Sequence, residues 1–450
     1  MEIVIAGGGA VGEVICQELA QEGHNIVLIE QDADRLDHLI NHYDITGIVG
    51  DGVNYDHLVT AGTKNCDVFI AVTPEDEFNI IASVFARKLG AKEVIARVRH
   101  PKYATNLEFV QDELGISLMI NPEFEAARHM AELLRFPASV GVETFSHGRV
   151  SIVELEIDRE NPLVGMQISD FRDNFGNVLI CVIERQDHTF IPDGNDSIMA
   201  FDRLYVTGSA DDLFNFYPQA GYSNKKIKNA MIIGGGRITQ YLLTLLSSRN
   251  IQLTVIDRDL KVVEELSRIF PNVVFVHGNG KDHEFLQEQR IEKYDSVICL
   301  TGFDEENIII SLYASSLKIK KIITKVNRPY LVKMLDDLWS MAIITPKRLI
   351  ANHILRFVRS LTSNNVSSVN SLYRIADNEV EAIEFEVNNS SKVLNIPFKE
   401  LQTRDNLIVA VIIRNGKRLF PTGEDCIIAG DHVIIVTKHK LFEDIDDILA

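Results

Sequence analysis

The chain contains one long sequence unit twice, and this duplication constrains its fold more than any other feature. The segment IVIAGGGAVGEVICQELAQEGHNIVLIEQD is matched by AMIIGGGRITQYLLTLLSSRNIQLTVIDRD, which places Gly7 opposite Gly234. The match continues in order through AVTPEDEFNIIAS and CLTGFDEENIIIS to FIPDGNDSIMAFDRLYVTG and LFPTGEDCIIAGDHVIIVT. The offset stays between 227 and 229 residues, so the 450-residue chain is expected to form two copies of one structural unit.

Each copy begins with a pattern that is typical of an α/β fold. In the first copy, short apolar runs alternate with amphipathic stretches of helical length, such as residues 11–21 and 78–89. The predicted strands cover residues 2–6, 26–30, 48–49, 68–72, 94–98 and 118–120. Short, almost wholly apolar strands that alternate with helices predict a Rossmann-like, doubly wound parallel sheet.

The remainder of each copy predicts a crossover helix and a small α+β lobe. Asn121-Pro122 and Thr345-Pro346 have the helix-start pattern of a capping residue followed by proline. The expected parallel modules are residues 1–121 and 228–345, the crossover helices residues 122–139 and 346–366, and the lobes residues 140–217 and 367–450. A linker rich in Pro, Gly, Ser and Lys is expected from Tyr217 to Asn229.

The first glycine loop has the GxGxxG spacing and lies in the context that a dinucleotide site requires. It follows the first predicted strand and opens a helix. Gly7 permits the tight turn, Gly9 permits close approach of a pyrophosphate, and Gly12 permits helix–strand packing. Glu30 ends the second strand, where a carboxylate accepts both ribose hydroxyls and repels a 2′-phosphate. This pattern favours NAD over NADP; a glycine turn needed only for packing is the alternative.

The second loop keeps the glycines at 234–236 but departs from the first at several positions. Thr239 replaces the last glycine, which is expected to hinder helix–strand packing slightly, and Asp257 takes the place of Glu30. Asn279 replaces Asp51, and Lys325 replaces Arg97. The alternative for this copy is a degenerate site that binds nothing.

Other catalytic or metal-binding patterns are missing from the sequence. HExxH, GxSxG and a P-loop are absent, and the 13 histidines are scattered. Neither a catalytic residue nor a metal site is therefore expected. The acidic clusters at residues 75–77 and 304–306 follow strand ends, where they favour helix starts. A role in ion or nucleotide binding is the alternative.

Charge and composition limit the partners and the compartment. Residues 1–224 carry 15 basic and 36 acidic side chains, a net charge of −21, whereas the rest of the chain is near neutral at +2. An acidic half argues against duplex nucleic acid as the main partner. Five dispersed cysteines without a CxxC pair favour a reducing cytosol. Neither a signal peptide nor an apolar run of spanning length is expected.

These motifs resemble a known family. GGGAVG after the first strand, Glu30, Gly50-Asp51, AVTPEDEFN and ARVR are similar to the regulator-of-conductance-of-potassium (RCK) module, and the tandem arrangement covers nearly the whole chain. The resemblance implies a non-enzymatic regulatory subunit of a Trk-type potassium uptake system. It implies NAD(H), with ATP or ADP as further ligands, and a tetrameric ring of chains. It also implies a cytoplasmic, peripheral position on the inner face of the membrane, beneath a channel-transporter of the TrkH/TrkG type.

The same resemblance implies two nucleotide sites. The first would comprise Gly7, Gly8, Gly9, Ala10, Val11, Gly12, Glu30, Asp51, Thr73, Pro74 and Arg97, and the second Gly234, Gly235, Gly236, Arg237, Ile238, Asp257, Asn279, Thr301 and Lys325. Two functions remain as alternatives, namely an NAD-dependent oxidoreductase and a nucleotide-sensing regulator of another channel or antiporter. The activating nucleotide and the transporter paralogue stay open.

Overall fold

The computed structural model describes residues 1–101, 107–186, 188–328, 331, 341–362, 367–376, 378–440 and 442–450. The chain divides into two compact units. The first unit contains residues 1–128, 236–245 and 345–358, and the second contains residues 129–235, 246–344 and 359–450.

A six-stranded parallel sheet forms the centre of the first unit. Its strand order is β3-β2-β1-β4-β5-β6, the arrangement of a doubly wound nucleotide-binding fold. Strand β1 is buried because Ile3, Val4 and Ile5 leave almost no surface exposed. The elements of the first copy are β1 (Glu2–Ala6), α1 (Ala10–Gln21), β2 (Asn25–Glu30), α2 (Ala33–His42), β3 (Thr46–Val49), α3 (Tyr55–Thr60), β4 (Val68–Ala71), α4 (Asp76–Leu89), β5 (Glu93–Arg97), α5 (Leu107–Leu114), β6 (Leu118–Ile120) and α6 (Pro122–Arg135).

The second copy repeats this sheet with the order β14-β13-β12-β15-β16-β17, again all parallel. Its strands belong to the second unit. The elements are β12 (Asn229–Ile233), α9 (Arg237–Leu246), β13 (Gln252–Asp257), α10 (Leu260–Ile269), β14 (Val274–His277), α11 (His283–Glu288), β15 (Ser296–Cys299), α12 (Asp304–Ser316), β16 (Lys321–Lys325), β17 (Met341–Ile344) and α13 (Pro346–Thr362). The expected pair of parallel modules is therefore confirmed.

Each parallel module is followed by a lobe with a five-stranded antiparallel sheet, and both lobes lie in the second unit. The orders are β10-β9-β11-β8-β7 and β18-β19-β22-β20-β21. The first lobe contains β7 (Gly141–Phe145), β8 (Val150–Glu156), α7 (Ile168–Asn174), β9 (Val178–Arg185), β10 (His188–Phe190), β11 (Arg203–Gly208) and α8 (Ala210–Gln219). The second contains β18 (Ser367–Ile375), β19 (Val380–Val387), β20 (Leu407–Arg414), β21 (Lys417–Leu419) and β22 (His432–Thr437).

One ion pair recurs at the same place in both lobes and shows that the duplication extends to them. Arg185 binds both oxygens of the buried Asp202, at 2.7 and 2.8 Å. Arg414 binds Asp431 in the same bidentate way, at 2.9 and 2.8 Å. In each lobe the aspartate also accepts a backbone N–H, so the pair fixes the turn that precedes the last strand.

The linker prediction is wrong at its start. Tyr217 lies inside α8 and is fully buried, and Ala220 beyond the helix is buried as well. The hydroxyl of Tyr222 donates to the carbonyl of Glu156 at 2.6 Å. Apolar packing therefore keeps this proline-containing stretch within the lobe. In the part of the chain that the structure describes, no helix combines the length and the apolar character needed to cross a membrane.

Candidate functional site

Two glycines of the first loop are required by the fold itself. Gly7 has a φ of +104°, in the left-handed region that favours glycine, and a Cβ there would lie 3.0 Å from the backbone nitrogen of Thr73. A Cβ on Gly12 would lie 1.9 Å from the carbonyl oxygen of Gly7. Helix α1 and the end of β1 can therefore approach this closely only with glycine at these positions.

Gly9 is different because the fold does not require a glycine there. It caps the N-terminus of α1 with a φ of −64°, which any residue adopts, and a Cβ would meet no atom of the described residues within 4 Å. The first N–H groups of a helix lack intrahelical partners and attract anions. The open space at Gly9, at the start of α1 with Ala10 and Val11, therefore fits the close approach of a pyrophosphate.

The carboxylate of Glu30 is held in place at the end of β2. One oxygen accepts the N–H of Gly8 at 2.5 Å, and the other accepts the N–H of Asp32 at 3.0 Å. A carboxylate has about four acceptor positions, so it can bind two hydroxyls without giving up these bonds. The backbone of the glycine loop thus orients the group that suits an adenosine ribose.

A buried asparagine ties together the ends of β4 and β5. The Oδ1 of Asn79 accepts both the N–H and the hydroxyl of Thr73, each at 2.8 Å. Its Nδ2 donates to the carbonyls of Thr73, at 3.0 Å, and Arg97, at 2.9 Å. Thr73 and Arg97 are therefore fixed together at the carboxyl edge of the sheet, where open α/β folds bind ligands. Pro74 follows Thr73 on the surface, and its carbonyl accepts a bond from Arg99.

The guanidinium of Arg97 has a hydrogen-bond donor that meets no acceptor among the described residues. Its Nε is buried without a hydrogen-bond partner among the described residues. Burial lowers the pKa of Arg97, and the nearby carboxylate of Glu123 opposes that shift. A buried guanidinium with an unused donor costs stability. An anionic ligand would satisfy it, and the residues present therefore fit a nucleotide phosphate.

Asp51 lies after β3, and a histidine fixes its backbone. The N–H of Asp51 donates to Nδ1 of His57 at 2.9 Å, and its carboxylate accepts the N–H of Val53 at 3.0 Å. In the second copy Phe285 takes the place of His57, and a Cβ on Gly278 would lie 2.1 Å from its ring. The two copies thus support the turn after the third strand with different side chains.

The second copy repeats the main contacts within the second unit. Gly234 has a φ of +111°, and the N–H of Gly235 donates to Asp257 at 2.6 Å. The N–H of Thr301 donates to Asn307 at 2.8 Å, and Asn307 donates to the carbonyl of Lys325 at 3.0 Å. Gly236, Arg237 and Ile238 follow in the sequence and belong to the first unit, and a Cβ on Gly236 would meet no atom of the described residues within 4 Å.

The cation of the second copy is used differently. The Nζ of Lys325 donates to the carbonyl of Thr301 at 2.7 Å, whereas the Nε of Arg97 has no hydrogen-bond partner among the described residues. Asn279 uses its Oδ1 to accept the N–H of Lys281 at 3.2 Å and brings no charge. The second copy therefore offers less charge to a ligand, because Asn279 is neutral and the ammonium of Lys325 is hydrogen-bonded to Thr301.

The acidic clusters begin helices, as the sequence predicts. Asp76 and Asp304 are buried first residues of α4 and α12. Asp76 accepts the backbone N–H groups of Arg99, at 3.0 Å, and His100, at 2.8 Å, and Asp304 does the same for residues 327 and 328 at 3.0 Å. Each carboxylate thus holds the segment after the fifth strand. The described residues contain no group of His, Cys, Asp or Glu side chains placed to hold a metal ion.

Sequence reasoning did not assign a role to Asn79, Asn307 or His57. The two asparagines were visible as a recurring pattern, since each lies six residues after the matching threonine, Thr73 or Thr301. Nothing comparable pointed to His57, because the second copy has phenylalanine there.

Comparison with known domain families decides the classification. The TrkA-N domain model matches residues 3–122 and 230–346, and the TrkA-C domain model matches residues 152–220 and 382–450. The chain belongs to the TrkA family. Its TrkA-N matches coincide with the two parallel modules, and its TrkA-C matches fall on the two antiparallel lobes.

Curated members of the TrkA family match this chain over its whole length. A Trk system potassium uptake protein TrkA homolog from Archaeoglobus fulgidus is 29% identical over 448 residues, covering 100% of each chain. The Trk system potassium uptake protein TrkA of Halomonas elongata is 29% identical and covers 98% of this chain and 96% of its own. These names designate potassium uptake proteins rather than enzymes, in agreement with the expectation of no enzymatic activity.

Solved structures confirm the fold of this TrkA-family chain. A structure described as the GsuK channel bound to NAD matches with a TM-score of 0.62 at 18% identity, covering 97% of this chain and 76% of that one. The GsuK RCK domain matches with a TM-score of 0.61 at 17% identity, covering 97% and 92%. The expected tandem RCK architecture is thus confirmed.

Proposed function

We propose that this TrkA-family chain is a nucleotide-binding regulatory subunit of potassium uptake. It binds NAD(H), with ATP or ADP as further ligands, and controls a membrane channel-transporter of the TrkH/TrkG type from the cytoplasmic face of the membrane. The observation that carries the proposal is the glycine at position 9. Among the described residues no atom lies near its Cβ position, and its backbone conformation does not require glycine. We therefore attribute the glycine to the close approach of a ligand.

The choice of NAD(H) rests on Glu30. Its carboxylate is fixed by two backbone N–H groups at the end of β2 and keeps acceptor capacity for the ribose hydroxyls. A 2′-phosphate at the same place would put two negative charges together, which disfavours NADP(H). At the neighbouring strand ends, the unsatisfied Nε of Arg97 supports binding of the phosphate groups.

A hydrogen-bonded chain in the first unit offers a route from this site to the crossover helix. Arg99 lies two residues beyond Arg97, and its carbonyl accepts the hydroxyl of Tyr241 at 3.0 Å. The same hydroxyl accepts Nδ2 of Asn121, the residue before α6, at 2.7 Å, and the ring meets Phe124 edge-on at 5.5 Å. A ligand that moves the end of β5 would therefore move the start of α6. The ligand can shift the equilibrium between two arrangements of these elements only by binding one of them more tightly.

The surface of α4 supports assembly of several chains. Phe78, Ile81 and Phe85 lie at helical spacing on one face and remain 47%, 44% and 45% exposed. Ile309 on α12, which matches Ile81, is 65% exposed. Apolar stripes of this kind mark protein interfaces, and a second copy of the chain supplies the same stripe. We propose that four chains form a ring.

We also propose domain limits for the two copies. The parallel modules are residues 1–121 and 228–345, the crossover helices residues 122–139 and 346–366, and the lobes residues 140–217 and 367–450.

Calorimetric titration of the full chain with NADH, NADPH, ATP and ADP tests the proposal. NADH should bind more tightly than NADPH, and Glu30→Ala should weaken NADH binding. The loss of charge-assisted hydrogen bonds costs about 1.5–3 kcal/mol, or roughly tenfold or more in affinity. Asp34→Ala removes an exposed carboxylate from α2 outside the site and serves as the control. Equal NADH affinity in folded wild type and Glu30→Ala would refute the assignment.

A further inference from the structure

A buried lysine connects the second parallel sheet to the segment after α6. Lys321 is the first residue of β16, and only 3% of it is exposed. Its Nζ donates to the carbonyl of Phe136 at 3.2 Å and to the carbonyl of Ser139. We call residues 136–140, which lead from α6 into β7, the connector. All these residues belong to the second unit.

The number of acceptors matches a neutral amine better than an ammonium. The described residues give Nζ two carbonyl acceptors, and a neutral amine has two N–H groups to donate. An ammonium has a third N–H and a full charge, which is costly in a buried site. A closed connector therefore holds the side chain best after it has lost a proton.

The charged groups around Lys321 do not offset this cost. Glu154 on β8 attracts the ammonium, yet burial outweighs it and lowers the pKa of Lys321 to about 7. The neighbouring Lys320 is paired with Asp295 at 2.7 Å. A cavity of about 250 Å³ beside the connector is lined by Glu156, Asp158, Tyr222 and Lys320 among others, so acidic groups lie close to the buried amine.

Strand β16 carries a lysine at each end, and the two ends serve different sites. Lys325 ends the strand within the second candidate nucleotide site, where its Nζ donates to the carbonyl of Thr301 at 2.7 Å. Lys321 begins the strand at the connector. The strand pairs on both sides, with β15 and β17, so sheet hydrogen bonds hold its five residues in one register. The matching residue of the first copy is Glu93, so this arrangement belongs to the second copy alone.

We propose that Lys321 makes the connector a proton-dependent latch: it is closed by the neutral amine and released when the amine takes up a proton from water and leaves the buried site. Since β16 also ends at the second nucleotide site, ligand binding there shifts the same latch; this coupling rests on the proposed function. Opening is linked to proton uptake, so acidification favours the open connector and rising pH favours the closed one.

Hydrogen exchange of the full chain, followed by mass spectrometry between pH 6 and pH 9, tests the latch. The amides to follow are Ser139, which donates to Phe136 at 3.2 Å, and Val140, which donates to Glu154 at 2.9 Å. After correction for intrinsic exchange, wild-type protection should rise above pH 7 by up to about tenfold per pH unit. Lys321→Met should abolish this pH dependence, and Lys320→Met, the matched control, should keep it.

The outcomes separate the latch from the proposed function. Wild-type protection without a pH dependence, or an unchanged dependence in Lys321→Met, would overturn the latch. If Lys321→Met does not fold, Lys321→Arg replaces it, because arginine stays protonated throughout and should also remove the pH dependence. Saturating NADH or ATP, with calorimetric stoichiometry showing that both sites of each chain are filled, should change connector protection at pH 7.5. Binding without such a change refutes the coupling, whereas failure of every nucleotide to bind refutes the proposed function and leaves the pH result standing.

Discussion

A larger side chain should lower stability at Gly12 but lower nucleotide affinity at Gly9, although both glycines belong to one loop. A Cβ on Gly12 would lie 1.9 Å from the carbonyl oxygen of Gly7. Because this oxygen belongs to the backbone, no change of side-chain rotamer can relieve the clash. Forcing such a contact typically costs about 1–3 kcal/mol, although alanine returns up to about 1 kcal/mol of helix propensity. Gly12→Ala should therefore lower the free energy of unfolding by about 1–2 kcal/mol.

Gly9→Val should leave stability almost unchanged and impair nucleotide binding. Gly9 has a φ of −64°, and in the part of the chain that the structure describes no atom lies within 4 Å of its Cβ position, so valine fits the folded chain. The cost of losing glycine at a helix N-cap is about 1 kcal/mol or less. The valine would fill the space in which we place the pyrophosphate, so the affinity for NADH should fall at least tenfold, which is about 1.4 kcal/mol.

Urea unfolding followed by circular dichroism, together with calorimetric titration of NADH, measures both effects. The two variants should separate cleanly, with Gly12→Ala losing stability and Gly9→Val losing affinity. A stable Gly9→Val protein that binds NADH like wild type would refute the reasoning, because the open space at Gly9 would then serve no ligand. A Gly9→Val protein as unstable as Gly12→Ala would show that the loop glycines serve packing alone.

Three further predictions concern other parts of the molecule. Arg97→Met should weaken NADH binding, because it removes the buried cation at the strand ends that is expected to meet the phosphates; unchanged NADH affinity in the calorimeter would contradict this. Gly236→Val should reduce the calorimetric affinity for NADH and ATP less than Gly9→Val does, because the second site offers less charge to a ligand. Equal losses of affinity in the two variants would contradict this difference between the sites. Replacing Phe78 and Phe85 together by glutamate should reduce the mass measured by light scattering, and an unchanged tetramer would exclude α4 from the interface.

The elements nearest the glycine loops were the most predictable from sequence. A strand ending in Ala6, a loop opening a helix and Glu30 at the next strand end are local patterns, and the duplication supplied a second example of each. The start of the linker was mispredicted because Pro and Gly suggested a break at Tyr217. The aromatic ring instead packs into the lobe, a tertiary interaction that composition does not show.

Contacts between distant residues could not be predicted. Tyr241 meets Asn121 across 120 residues of sequence, and Lys321 reaches Ser139 across 182. Such bonds depend on how helices and sheets pack, whereas periodicity reports only on a single element. Asn79 was only partly predictable. Its recurrence as Asn307 was visible in the sequence, but its hydrogen bonds to the ends of two strands were not.

The central claim is that nucleotide binding by this chain controls potassium uptake. The most direct test is rubidium or potassium uptake in cells that lack this gene and all other potassium importers, with wild type or Gly9→Val returned at equal protein levels. The account predicts that uptake collapses without the chain, returns with wild type and returns only in part with Gly9→Val. Full uptake in the absence of the chain would contradict it.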